Sequence, residues 1–467
     1  MNKYIILAII VVLVNFGQSF LLPTGGVYAD SLSYFEIASD LPKPVTNLFP
    51  LGYPAFLRVF FEVFRDYFWA YKFLSVSMII VVFVFSYVKK FFFRETVLLF
   101  MGKTLLFVFS IAISEGPFLF LMYFMMYFLY KILCTDSSSI KDILAASFLM
   151  ILMFATRYSG IYFYLGIGFF SIFMFFRPQE RKRFKMMFLF LVIAGVGIGG
   201  YLAFNYFSFG SFTGENLRGQ PHAILKMNVL RDALGTVNSI NPYIGLKPSS
   251  NSFISIAFQF LLMLVDLAIF VYFLKYFKKA KASAESNFHQ LLWIIAGVYA
   301  VCLFCSGLVQ QIEEMNTRMQ AAVNVCLFFS FLIIYLKINT SDKIIFRLSL
   351  FFFCFGVLYT LKRPEFYFDN RKEIEPQMSK FNSKKYMFND ERDENDMTTY
   401  TLPLINKTFQ YRHTNGQAGD TKQSIAGTIN PKIKWLKYDT VTDKSKVLYT
   451  SEIKLNHNKK QQKTDEQ

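Results

Sequence analysis

Four histidines and five cysteines in 467 residues leave little material for metal or redox chemistry. His222, His289, His413 and His457 are scattered, and none stands at a ligand spacing from another. Cys134, Cys302, Cys305, Cys326 and Cys354 lie in or beside apolar runs and read as small hydrophobes. There is no Walker loop, no dinucleotide fingerprint and no Ser-His-Asp ordering, so nucleotide-driven and serine-hydrolase readings have no motif behind them. No internal repeat of useful length is visible either, which counts against a transporter built from paired halves.

What the chain has in abundance is apolar surface. Hydrophobic residues make up 54% and aromatic residues 19%, with 58 phenylalanines. That exceeds the usual apolar share of a soluble domain. Runs of about 18 or more apolar residues recur along the first ~360, each long enough to cross a hydrocarbon core of ~30 Å. The fold class is therefore an all-α polytopic membrane protein. The net charge of +17 does not point to nucleic acid, because the Lys and Arg residues sit mostly in short loops between apolar runs. The first run, Tyr4 to Leu22, is longer than a usual signal-peptide core and no small-x-small site follows cleanly, so it reads as an uncleaved span.

Spans are expected near 4–22, 68–88, 95–113, 116–134, 142–157, 160–176, 186–208, 253–274, 290–309, 320–337 and 344–361, about 11 in all. The basic clusters Lys89-Lys90 with Arg94, Arg177 with Arg181-Lys182-Arg183 and Lys185, Lys275 with Lys278-Lys279 and Lys281, and Lys343 with Arg347 then fall on one side. The positive-inside rule makes that side and the N-terminus cytoplasmic. Residues 1–361 form the transmembrane part, and residues 362–467 a polar external tail, either a small β-containing cap or disordered. In the first external loop, Phe56, Val59, Phe60, Val63, Phe64 and Tyr67 recur at helical spacing after Pro54, with Arg58 and Glu62 four apart. This predicts an interfacial helix over 54–67.

Several polar residues converge on the external side. Asp30, in a loop shielded by aromatic residues, is suited to take a proton from an attacking hydroxyl; as a residue type it is equally a helix N-cap. Glu115, between Ser114 and Gly116-Pro117, is either a dipole-favoured helix start or a site residue. Arg157 and Arg318 run against the positive-inside bias and could grip a phosphate with bidentate geometry. The alternative for both is pairing with Glu115, Glu313 or Glu314. Within the spans, Lys103 and Asp266 stand at similar depth with opposite sign, which predicts a buried structural ion pair.

Taken in order, Asp30-Ser31 with Tyr34 and Ile37-Ala38, then Phe49-Pro50-Leu51-Gly52-Tyr53-Pro54, Ser114-Glu115, Thr156-Arg157-Tyr158-Ser159-Gly160 and Thr317-Arg318, this chain resembles the GT-C superfamily of membrane glycosyltransferases. Its resemblance extends to protein O-mannosyltransferases, lipid A aminoarabinose transferases and glycosylphosphatidylinositol mannosyltransferases, and covers about residues 1–340. The resemblance implies a polyprenyl-phosphate sugar donor, an inverting transfer on the external face, and a lipid, glycan or protein acceptor. It implies Asp30 as general base, Tyr34 and Glu115 as substrate-binding residues, and Arg318 with Arg157 neutralising the departing phosphate. The family's first loop often carries a second acid where Ser31 stands here, which weakens metal coordination at this site. No metal ligands are assigned, and the cofactor stays open, a divalent cation included. Membrane lipids are expected partners and nucleic acid is not. A transporter or flippase of lipid-linked glycans, a glycan polymerase or ligase, and a non-catalytic scaffold are the rival readings.

Overall fold

The computed structural model describes residues 2–22, 25–44, 46–135, 137–214, 226–245, 252–281, 283–309, 314–361, 364 and 366–369, together with five strand segments farther along. The first part is helical throughout. In order come α1 (Asn2–Gln18), α2 (Ala29–Asp40), α3 (Gly52–Phe64), α4 (Tyr67–Val88), α5 (Phe93–Phe100), α6 (Lys103–Val108), α7 (Glu115–Cys134) and α8 (Ile140–Thr156). They are followed by α9 (Gly160–Phe175), α10 (Arg181–Phe209), α11 (Lys226–Asn238), α12 (Phe253–Ala280), α13 (Ser286–Val309), α14 (Ala321–Ile338) and α15 (Lys343–Thr360). The strands β1 (Lys385–Asn389), β2 (Met397–Thr401), β3 (Gln410–Thr414), β4 (Tyr438–Thr440) and β5 (Glu452–Asn456) form a three-stranded β3-β1-β4 sheet and a β2-β5 pair.

Eight of the helices among the described residues are long and apolar enough to cross a membrane. An apolar helix can face either protein or lipid, and the bundle uses both options. In α14 every residue from Ala321 to Leu336 is buried, which makes it the axis of the structure. By contrast, only 17% of the apolar window of α12, and the same share of α15, is covered by protein, so these helices present their sides to lipid. The chain is a multi-pass helical membrane protein.

The expected eleven spans correspond only in part to continuous helices. The predicted third span, 95–113, is broken: α5 ends at Phe100, Met101-Gly102 interrupt it, and α6 stops at Val108. A glycine permits the interruption, and the freed backbone is satisfied by protein, with the Lys103 amide donating to the Pro242 carbonyl at 3.0 Å. The same break overturns the expected Lys103–Asp266 ion pair. Lys103 opens α6 and its ammonium is caged by backbone carbonyls, from Ile244 and, at 3.3 Å, from Asn238. Asp266 instead accepts from the Asn241 side chain at 3.0 Å. Depth reckoned along uninterrupted helices could not anticipate carbonyls delivered by the 239–245 segment.

The predicted helix in the first loop is present as α3. It is apolar on two sides: Tyr53, Leu57 and Phe61 are buried against the bundle, while Val59 and Val63 are exposed. Arg58 and Arg65 both reach Glu62, at 2.5 Å each, on the remaining face. The turn-rich segment before it is tied down by Asn47, whose amide donates to the Ser211 carbonyl at 3.0 Å, and by the Leu51 amide, which donates to the Tyr201 hydroxyl at 2.9 Å.

Asp30 does not cap α2. The cap is made by Ser31, whose hydroxyl accepts the Tyr28 amide at 3.0 Å, and this lets the Asp30 carboxylate point elsewhere from the first turn. Gly26, just upstream, has φ of +81° and its carbonyl accepts the Ala112 amide at 2.9 Å, so the loop is stitched to the α6–α7 turn. A Cβ on Gly26 would lie 2.5 Å from the Ser110 carbonyl oxygen, so both conformation and space require glycine. Gly26→Ala is expected to cost about 1–3 kcal/mol, read as a lower thermal unfolding midpoint in detergent. Gly17→Ala, in open space on α1, should leave that midpoint unchanged.

Candidate active site

Four elements far apart in sequence bring a row of alternating charges together. Asp30 comes from the first turn of α2, Glu115 is the first residue of α7, Arg157 follows the last residue of α8, and Arg318 sits in the turn before α14. Arg318 donates from Nη1 to Asp30 Oδ2 at 2.8 Å, and its Nε lies 3.4 Å from Glu115 Oε1. The same Glu115 oxygen receives Arg157 Nη1 at 2.5 Å. Glu115 is thus shared by two guanidinium groups and lies at the N-terminus of a helix, whose dipole favours an anion there.

The remaining hydrogen-bonding capacity is closed by hydroxyls. Tyr34 donates to Ser114 Oγ at 2.8 Å, and Ser114 in turn donates to Glu115 Oε2 at 3.4 Å. Arg157 Nε donates to Ser159 Oγ at 2.9 Å, and that hydroxyl lies 2.8 Å from the Tyr299 hydroxyl. The Tyr34 ring rests against Phe49 and Tyr53, with centroids 4.6 and 4.9 Å away, which fixes its direction. Burial, reinforced by the Glu115 and Asp30 carboxylates, raises the Tyr34 pKa, so it acts here as a neutral donor. For Arg157, burial works against the charge, but the Glu115 carboxylate outweighs it and holds the guanidinium protonated beyond its ordinary range.

All five residues expected at the site from sequence therefore meet. The carboxylate partner anticipated as the alternative for the two arginines is Glu115 for both; Glu314 pairs with Arg231 at 2.5 Å, and Glu313 lies outside the described residues. Asp30 is the most accessible member of the row, its side chain 32% exposed against 5% for Glu115.

Beside this row lies a cavity of about 570 Å³. Asp30, Arg318, Thr317 and Lys103 make part of its lining polar, while Leu106, Phe107, Phe355 and Tyr359 make the rest apolar. No residue of α3 is among those lining it, so the lateral groove is walled by α6 and α15 and not by the first-loop helix. Lys103 is held there through α14: Asn324 accepts from Thr104 at 2.9 Å and donates to the carbonyls of Ser239 and Asn241 at 2.7 and 3.1 Å. Among the described residues, His, Cys, Asp and Glu side chains do not gather in threes around a metal-sized gap.

Sequence reasoning missed the supporting hydroxyls and the loop that carries Lys103 into the lining. Ser114 and Ser159 lie within the motifs and were legible as neighbours of charged residues. Asn324, an amide one turn into an otherwise apolar helix, was a usable signal. Tyr299 carried none, being one more aromatic residue in an apolar run.

No family model matches this chain, and no curated protein matches it in sequence. Among solved structures it is similar to ArnT from Cupriavidus metallidurans bound to undecaprenyl phosphate, with a TM-score of 0.49 and 13% identity. The likeness covers 75% of this chain and 63% of that one, so the chain spans less than two thirds of that protein's length.

The shared carboxylate makes a specific energetic demand. Removing it by Glu115→Gln leaves Arg157 buried beside Arg318 without its counter-ion, which is expected to cost about 3–5 kcal/mol. Adding Arg157→Met to that variant removes the stranded charge and should recover part of the loss. Thermal unfolding of the two single variants and the double variant in detergent gives the coupling, expected above about 1 kcal/mol.

Proposed function

We propose that this chain is an integral-membrane glycosyltransferase that moves a sugar from a polyprenyl-phosphate donor to an acceptor hydroxyl on the external face, with inversion at the anomeric carbon. The observation that carries the reading is the Asp30–Arg318–Glu115–Arg157 row at the edge of a cavity that is cationic on one side and apolar on the other. A molecule with a phosphate on a long hydrocarbon chain suits such a lining, its chain against Leu106, Phe107, Phe355 and Tyr359, and its phosphate toward Arg318 and Lys103.

The chemistry follows from the charges. The acceptor oxygen attacks the anomeric carbon, the bond from that carbon to the phosphate oxygen breaks, and the electron pair leaves with the phosphate. Asp30 takes the hydroxyl proton. The leaving phosphate needs positive charge already in place, which is the kind of preorganisation that dominates such reactions. Arg318 is shared by Asp30 and Glu115, so a phosphate and Asp30 compete for one guanidinium. Donor binding that draws Arg318 away leaves Asp30 more basic, ready for its proton. Glu115 keeps Arg157 and Arg318 in place, and Tyr34 orients Glu115 through Ser114. Residues 362–467 we assign to a separate external unit.

Three arms test this reading in cells of equal membrane abundance of the protein. Mass spectrometry follows extracted polyprenyl-phosphate sugars and envelope glycans. Asp30→Asn is expected to lower transfer by about 10²–10⁴-fold, so that the lipid-linked sugar accumulates and one envelope sugar disappears. Arg318→Lys, which keeps the charge without the planar fork, should lower transfer less than Arg318→Ala. If deletion of the protein changes the envelope while Asp30→Asn changes neither pool, catalysis at Asp30 is wrong and movement of a lipid-linked glycan becomes the better reading.

A further inference from the structure

At the other end of the bundle lies a second cavity of about 940 Å³, bounded by the end of α9, the start of α10, the end of α12 and the start of α13. Chain direction sets it apart from the charged row, because α9 begins three residues after Arg157 and α13 ends nine residues before Arg318. Its lining has three cations, Arg177, Arg183 and Lys281, against one carboxylate, Glu180. Glu180 is committed: one oxygen takes Arg183 at 3.0 Å and the other accepts from Asn287 at 2.9 Å. Arg177 is bonded to the neutral Gln290 at 3.2 Å, with its guanidinium carbon 4.1 Å from the Phe173 ring centroid, and Lys281 extends from the end of α12.

The apolar part of the lining is aromatic. Phe277 and Trp293 stack with centroids 4.6 Å apart, and Trp293 is fixed by donating to Ser330 at 3.1 Å. Phe173 on α9 is 44% exposed, and Phe175 and Phe176 beside it more so, which makes the wall continuous with the lipid-facing surface. A soluble anion would use the cations and leave the aromatic wall uncovered. A phosphodiester attached to acyl chains covers both.

We propose that this cavity binds one acidic phospholipid, its phosphodiester at Arg177 and Lys281 and its acyl chains along Phe173, Phe277 and Trp293. The Arg183–Glu180 pair forms the closed side of the site. Basic recesses between membrane helices supply such headgroups with charge at the depth where the phosphodiester lies. The site is independent of sugar transfer and occupies the opposite end of the molecule.

The test uses the full chain in nanodiscs, with Trp69→Phe and Trp435→Phe leaving Trp293 as the sole tryptophan. Brominated phosphatidylglycerol and brominated phosphatidylcholine are titrated as quenchers. Phosphatidylglycerol is expected to be preferred by about fivefold or more, with about fivefold lost per cation removed, so that Arg177→Gln/Lys281→Gln abolishes the preference. Lys281→Gln alone, at an exposed position, should already weaken it and guards against misfolding of the double variant. Excess glycerophosphate should not restore Trp293 fluorescence. Equal quenching by both lipids, an unchanged preference in the variants, or displacement by glycerophosphate would each overturn the assignment.

Discussion

A single carboxylate oxygen, Glu115 Oε1, receives both Arg157 and Arg318, and much of the outer end of the bundle is arranged around that fact. Guanidinium groups buried to this degree are tolerated only beside a compensating anion. Glu115 supplies it from the start of α7, where the helix dipole lowers the cost of the negative charge. Through the two arginines it draws the end of α8 and the turn before α14 to the same point, and through Ser114 and Tyr34 it reaches α2. The geometry of Asp30 is a consequence: its partner Arg318 is held by an acid that Asp30 never touches.

How far this was legible in the sequence depends on the kind of signal. The apolar runs announced helices because their length is dictated by the bilayer, and α4, α7, α10, α12, α13, α14 and α15 lie where the runs lie. The charged residues of the site were legible because each stands out against apolar surroundings. Their partners were not. That Glu115 serves two arginines, or that Ser31 and not Asp30 caps α2, depends on which turns meet in space, and composition is silent on that.

Lys103 illustrates the same limit from the other direction. In a continuous span a lysine demands a counter-charge, and Asp266 was the natural candidate. Once Met101-Gly102 interrupts the helix, unpaired backbone carbonyls become available, and those of Asn238 and Ile244 solvate the ammonium. Carbonyl dipoles can replace a carboxylate at lower electrostatic cost when a loop can be folded into the protein interior. The loop is held there by Asn324, so one amide on the axial helix fixes a cation some 220 residues earlier in the chain (Thr104 to Asn324).

The burial of α14 has a bearing on how the chain is assembled. Its sixteen residues from Ala321 to Leu336 face protein on every side, yet it is the last but one of the long helices to be synthesised. The helices it packs against, α5, α12 and α13, must enter the membrane with the faces meant for it still turned to lipid or to one another. Lipid tails are about as apolar as leucine, so the waiting state carries little penalty. The cationic end of the site is different, since Arg318 lies just ahead of α14 and reaches Glu115 only when that helix is seated. Closure of the bundle and completion of the charged row are therefore one late event in biogenesis, and a nascent chain lacking α14 has the acid without both of its bases.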